Sequence, residues 1–176
     1  MTLNICGELD CETLDILFED FNKLKPDEKV IIYFTSPSGF VSTSKALLDF
    51  INNNKEIISL IVYGEIYSAG FDIVMKAECN KKLLSNTIGM IHFAYTKIDM
   101  DESGKPKTDY DKFYLAEMKK TKTETIEYLR TLGLNKQELE KVNKGKDVFL
   151  SYERLAVLFE NSKQQQNQNE NKTINS

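Results

Sequence analysis

Ile57-Ile58-Ser59-Leu60-Ile61-Val62 leads through Tyr63 into Gly64-Glu65-Ile66-Tyr67-Ser68-Ala69-Gly70, and Phe71-Asp72-Ile73-Val74-Met75-Lys76-Ala77 follows. The first run is apolar and rich in β-branched residues, the pattern of a strand buried in a parallel sheet. The last run has helical spacing. The glycine-flanked middle reads as a turn, so Ser68 falls where a strand becomes a helix. The N–H groups of a helix's first turn have no internal partner, and the helix dipole adds positive potential there. Such a place suits a nucleophile beside a developing oxyanion. It equally suits a serine that only caps the helix, a role serine favours. Taken alone, the stretch favours the cap.

The same strand–turn–helix unit precedes it twice. Leu3-Asn4-Ile5-Cys6 is a short strand ending at Gly7, and Cys11 to Leu24 is an amphipathic helix with Leu14, Ile16, Leu17, Phe18, Phe21 and Leu24 as its apolar residues. Val30-Ile31-Ile32-Tyr33-Phe34 is a strand of the kind buried on both faces. The turn Thr35-Ser36-Pro37-Ser38-Gly39-Phe40 follows, then a helix over about Ser42 to Asn54 with Ala46, Leu47, Phe50 and Ile51 facing inward. This repetition predicts an α/β fold with parallel strands joined by right-handed crossovers. Active sites in such sheets gather at the carboxyl ends of strands, and both glycine turns lie on that edge.

Beyond Ala77 the sequence predicts strands at Lys81–Leu84 and Thr87–Phe93, the second carrying His92 near its end. The stretch from Lys97 to Thr108 is polar and turn-rich, a surface loop. Asp109–Leu132 is a long helix anchored by Phe113, Met118, Ile126 and Leu129, whose polar Lys119–Glu124 stretch predicts an end that projects or meets another subunit. Lys136–Asn143 is a shorter helix, Gly145–Leu150 a loop and turn, and Ser151–Glu160 a last helix. We therefore expect one domain over 1–160. Residues 161–176, rich in Gln, Asn, Lys and Glu, are expected to be a disordered polar tail.

Composition narrows the function. The 176 residues carry a net charge of −4, so there is no basic footprint for nucleic acid. No apolar run reaches the length of a membrane span, and the first residues lack the pattern of a signal peptide. Cys6, Cys11 and Cys79 are an odd, scattered set that reads as reduced thiols, and a cytoplasmic location is expected. No metal or organic cofactor is expected, because a Cys6/Cys11 pair has one histidine in the whole chain to complete it. That histidine, His92, must serve any mechanism that needs an imidazole base. On its own it reads as a core histidine on an apolar strand.

Four motifs in order, Ser36-Pro37-Ser38-Gly39, Gly64 to Ser68-Ala69-Gly70, Met90-Ile91-His92 and Asp147-Val148-Phe149-Leu150-Ser151, resemble the ClpP family of serine peptidases. Ile5-Cys6-Gly7-Glu8-Leu9-Asp10 resembles that family's first strand and turn, and the likeness runs from about Ile5 to Phe159. It implies a crotonase-like spiral of β-α units with a long projecting handle helix. It implies that Ser68 is the nucleophile, His92 the general base and Asp147 the acid that orients the base. It implies that the amides of Gly39 and Ala69 form the oxyanion hole. The substrate class implied is peptides or unfolded proteins, cleaved inside heptameric rings of a homo-oligomer.

The chemistry needs these residue types. A serine hydroxyl requires a base to take its proton, an imidazole titrates in the useful range, and a carboxylate fixes its tautomer. Asp72 is an alternative acid. The sequence also departs from the family's pattern. Ser38 stands where the oxyanion turn has its first glycine, Tyr67 replaces a small residue before the nucleophile, and Phe93-Ala94-Tyr95-Thr96-Lys97 replaces a glycine-rich substrate-binding segment. The chain starts at the first strand, without the segment that contacts AAA+ unfoldases, which weighs against that partner, and no closing strand follows Phe159. A divergent peptidase is the favoured reading. A non-catalytic scaffold on the same fold, a crotonase-type acyl-CoA enzyme and a serine–lysine dyad are the alternatives.

Overall fold

The computed structural model describes residues 1–26, 28–93 and 100–174, with side chains described through residue 168. Ala94 to Asp99, most of the segment after the histidine, lie outside the described residues. In chain order the elements are β1 (Thr2–Cys6), α1 (Cys11–Phe21), β2 (Val30–Ser36), α2 (Val41–Asn53), β3 (Ile58–Tyr67), α3 (Ala69–Lys76), β4 (Asn80–Leu83), β5 (Ile88–Ile91), α4 (Asp109–Leu132), α5 (Lys136–Asn143), β6 (Val148–Leu150) and α6 (Tyr152–Ile174). They form the α/β fold expected of the family. Residues pack into two compact units, one of Met1–Ile91 with the chain from Phe149 onward, the other His92–Val148.

The first unit is built on the sheet. Its order is β1-β2-β3-β5-β6, with β4 also paired to β3. The pairings of β1 with β2, and of β3 with β2, β4 and β5, are all parallel. Alternation sets the core: Val30, Ile32 and Phe34 of β2, and Ile58, Leu60, Val62 and Ile66 of β3, are at most 1% exposed. Leu47 and Ile51 of α2 and Ile73, Val74 and Met75 of α3 complete it. Phe50 of α2 meets Phe18 and Phe21 of α1 with ring centroids 5.0 and 4.7 Å apart.

Several expectations are corrected. β2 is buried on one face only, since Ile31 is 38% exposed and Tyr33 half-buried. Ile16 and Ala46 point outward on their helices. β3 does not stop at Val62 but runs on to Tyr67, because it changes partner. Its first half pairs with β2 and β4, while Glu65, Ile66 and Tyr67 pair with Ile88, Gly89 and Met90 of β5. The register slips between Phe34 and Ser36, and Gly64 takes φ +63° at the kink. The Thr35 hydroxyl spans the irregularity, donating to Glu65 O at 2.9 Å and accepting from Glu65 N–H at 3.1 Å. The turn expected over Gly64–Gly70 thus contracts to Ser68 itself. Val148–Leu150, expected as loop, is a strand.

Residues 161–174 of the expected polar tail are assigned to α6. α6 continues from Tyr152 to Ile174. Composition did point to disorder, but Ser162 is buried, and Gln166 donates to the carbonyls of Met75 and Ala77. These contacts give a polar helix the tertiary support that its own sequence lacks.

The second unit centres on α4 and α5, which pack on each other. Both begin with a capping box, Thr108 with Asp111 and Asn135 with Glu138, and α4 ends at Gly133 in the left-handed conformation. Leu129, Leu132, Leu134 and Val142 are buried, whereas Phe113, an expected anchor, is 63% exposed. Lys122 Nζ donates to Asn143 O at 2.7 Å and lies 5.3 Å over the Phe93 ring. Within the loop before α4, Asp101 accepts from Ser103 N–H and Lys105 N–H, closing a tight turn.

Candidate active site

Ser68 is the junction of β3 and α3. It has φ 52° and ψ −111°, and it is the one non-glycine residue with positive φ among the described residues. An L-residue held in such a region costs about 1–3 kcal/mol, which the surroundings must supply. Here Ser68 N–H donates to Met90 O at 2.8 Å, and Asp72 N–H donates to Ser68 O at 3.2 Å. The hydroxyl makes no capping hydrogen bond to α3. The N-cap reading therefore fails on geometry: the position is the N-cap, but the side chain does not perform the capping. A strained strand-to-helix turn whose serine hydroxyl does not cap the helix has the backbone form that a nucleophile elbow requires.

The helix start is fixed by a close approach. A Cβ on Gly70 would lie 2.6 Å from Ser36 O and 3.1 Å from Ser36 Cβ, so a side chain there is excluded and the first turn of α3 rests on the end of β2. That contact brings the Ser36–Gly39 turn to the same edge as Ser68. Gly39 is tightly held as well, because its Cβ would meet Leu9 Cβ at 2.5 Å. Leu9 N–H donates to Ser38 O and Phe40 N–H to Leu9 O, both at 3.0 Å, which leaves the Gly39 N–H out of this bridge. Ser38, the departure from the glycine pattern, adopts no positive φ. Its carbonyl also accepts from the Ser36 hydroxyl at 2.7 Å. Ala69 opens α3, and its N–H belongs to the first turn.

His92 and Asp147 lie in the second unit and meet there. His92 Nδ1 is 3.3 Å from Asp147 Oδ1, with the imidazole 23% and the carboxylate 46% exposed. Asp72, the alternative acid, pairs instead with Lys76 one turn along its own helix at 3.3 Å. Among the described residues no cluster of His, Cys, Asp and Glu could hold a metal ion. Among them, too, no helix is long and apolar enough to cross a membrane. Cys6, Cys11 and Cys79 are free thiols.

A family model described as Clp protease matches residues 3–154. The chain belongs to the Clp protease family. The match spans the Ser36–Gly39 turn, the Ser68 turn, His92 and Asp147, and it ends near the start of α6.

Sequence reasoning missed two features of this Clp protease family member. Tyr67 stacks edge-on against Phe149 with centroids 6.1 Å apart, and Phe149 is 68% exposed. Partial burial and the neighbouring Glu65 carboxylate push the Tyr67 hydroxyl's pKa up. Nothing local in the sequence pairs these two rings. The other is Lys81, buried at 6% exposure. Its signal was legible, since strict alternation through Asn80–Leu83 puts Lys81 on the inward face.

Proposed function

We propose that the chain is a serine endopeptidase that hydrolyses peptide bonds in peptides or unfolded proteins. Ser68 attacks the scissile carbonyl, His92 takes the hydroxyl proton and returns it to the leaving amine, and Asp147 holds the imidazole's orientation. The Gly39 and Ala69 amides receive the oxyanion, each such donor being worth roughly 10²–10³ in rate. The observation that carries the reading is the pairing of the chain's single histidine with Asp147 through Nδ1. That contact places Nδ1 against the carboxylate, and the proposed mechanism assigns the serine proton to Nε2. The uncapped, strained Ser68 supports it independently.

The protein acts as a homo-oligomer in this reading, with α4 at a subunit contact. The support is that α4 has 24 residues of which Leu129 and Leu132 alone are buried, while Tyr110 and Phe113 are well exposed.

The test is reaction with a fluorophosphonate probe, alongside hydrolysis of a fluorogenic peptide. We expect stoichiometric labelling of the folded protein that Ser68→Ala abolishes. A folded protein that neither labels nor hydrolyses is the scaffold alternative. Activity that survives His92→Ala points to a serine–lysine dyad instead.

A further inference from the structure

The helix that carries Ser68 is held at its far end as well as at its start. The Lys81 ammonium is buried at the C-terminal end of α3, where it donates to Val74 O at 2.9 Å, Met75 O at 3.2 Å and Ser162 Oγ at 3.2 Å. The last carbonyls of a helix have no helical partner and carry its negative end, so a cation there is attracted by both. A buried ammonium needs an acceptor for each proton, and these three atoms supply them. The Phe159 ring lies 5.5 Å beneath the nitrogen. From α6, Gln166 Nε2 adds bonds to Met75 O at 3.2 Å and Ala77 O at 2.9 Å. The Ser162 hydroxyl is itself fixed by donating to Phe159 O at 2.7 Å.

We propose that Lys81 and Gln166 are positioning residues for Ser68, clamping the C-terminal end of α3 so that its first turn, and the amide beside the nucleophile, keep their place. The proposal rests on the peptidase reading above. Eight residues make a rod roughly 12 Å long. With Gly70 seated on Ser36 at one end, the clamp at the other removes the remaining freedom to tilt. Misplacement by about 1 Å at a reacting centre can cost roughly a hundredfold in rate. Ser162 and Gln166, both on α6, lie beyond the residues 3–154 that match the family model.

The clamp has a pH limit. Burial, helped by the charge of Lys163 on α6, pushes the Lys81 pKa down to about 8. Glu160 and Glu78 oppose the shift. The Cys79 thiol is itself pushed up to about 11 by burial and stays protonated through this range. Above about 8 the ammonium becomes an amine, and the helix end loses its counter-charge.

The experiment uses the intact chain and measures the fluorophosphonate labelling rate of Ser68 from pH 6 to 10, with amide hydrogen exchange across α3. Wild type should slow on the alkaline side with a midpoint near 8. Lys81→Arg, which keeps its charge, should label at close to the wild-type neutral rate and lose that alkaline fall. Lys81→Met should label about tenfold more slowly at pH 7, and Gln166→Ala about threefold more slowly, each with faster exchange in the last turn of α3. Should Lys81→Met not fold, Gln166→Ala and Lys81→Arg still decide. Wild-type labelling rates in folded Lys81→Met or in Gln166→Ala, or an alkaline fall unchanged in Lys81→Arg, overturn the positioning role. A folded wild type that does not label at all overturns the peptidase reading and this role with it, and is recognised because no variant is then needed to see the failure.

Discussion

The helix starts of this protein fall into two groups. Asp10 caps α1, Thr108 caps α4 and Asn135 caps α5, each accepting from a backbone N–H of the first turn. Ser151 does the same for Arg154 N–H at the start of α6, at 3.4 Å. The starts of α2 and α3 have no side-chain cap. These are the two helices that follow the Ser36–Gly39 turn and the Ser68 turn. At the other four helix starts a side chain accepts from a first-turn amide, and at these two none does. A side-chain cap takes up one or two of the four orphan N–H groups, so an uncapped start has more of them to offer an anion. On the proposed mechanism, the contrast separates helix ends that serve stability from helix ends that serve chemistry.

The sharpest break of that contrast is at Ser68. Ser68→Ala should lower hydrolysis roughly 10⁴- to 10⁶-fold. Ser68→Gly should be as inactive yet melt higher than Ser68→Ala, by about 1 kcal/mol, because glycine accepts the positive φ without strain. Equal melting of the two would mean that the backbone there stores nothing. Next, His92→Ala should remove a comparable share of the rate, and Asp147→Asn roughly 10²- to 10⁴-fold in kcat with little change in KM. If Asp147→Asn retains full activity, the 3.3 Å contact is only a surface ion pair. Gly39→Ala comes third. Its methyl collides with Leu9, so it should cost about 1–3 kcal/mol in stability. It should also lower kcat about ten- to a hundredfold by moving the amide. The smallest effects belong to the capped group. Thr108→Ala and Asn135→Ala should each lower stability by about 1 kcal/mol and leave kcat unchanged, measured by thermal melts and peptide hydrolysis. A kcat loss there would erase the distinction between the two groups.

Much of this edge could be read from local sequence. The β-α repetition and the apolar runs located β1 to β3 and their helices, and Asp109–Leu132 appeared with its observed ends because its limits are local: Thr108 and Asp111 start it, and Gly133 stops it. The candidate residues were named through four short motifs, and the pairing of His92 with Asp147 brings two of them together. What local sequence could not carry was long-range. β3 outlasts its apolar run because β5 is waiting at Ile88, and the slip beside Gly64 depends on Thr35. The Ser68 N–H, at a residue of positive φ, is held by Met90 O, a partner more than twenty residues on. The polar stretch after Glu160 is helical although its composition suggests coil, since its partners, Lys81 and the end of α3, are remote in sequence.

The bond from Ser68 N–H to Met90 O also orders events in time. A ribosome adds about 5–20 residues per second and releases the chain from its N-terminus. β3 can join β2 early, but the turn at Ser68 lacks its closing partner until β5 has emerged, and the proposed acid, Asp147, comes later still. The nascent chain therefore displays its serine well before the groups that would arm it. Under the proposed mechanism, a nascent chain stalled between Ser68 and Asp147 would carry the nucleophile without the acid that orients its base.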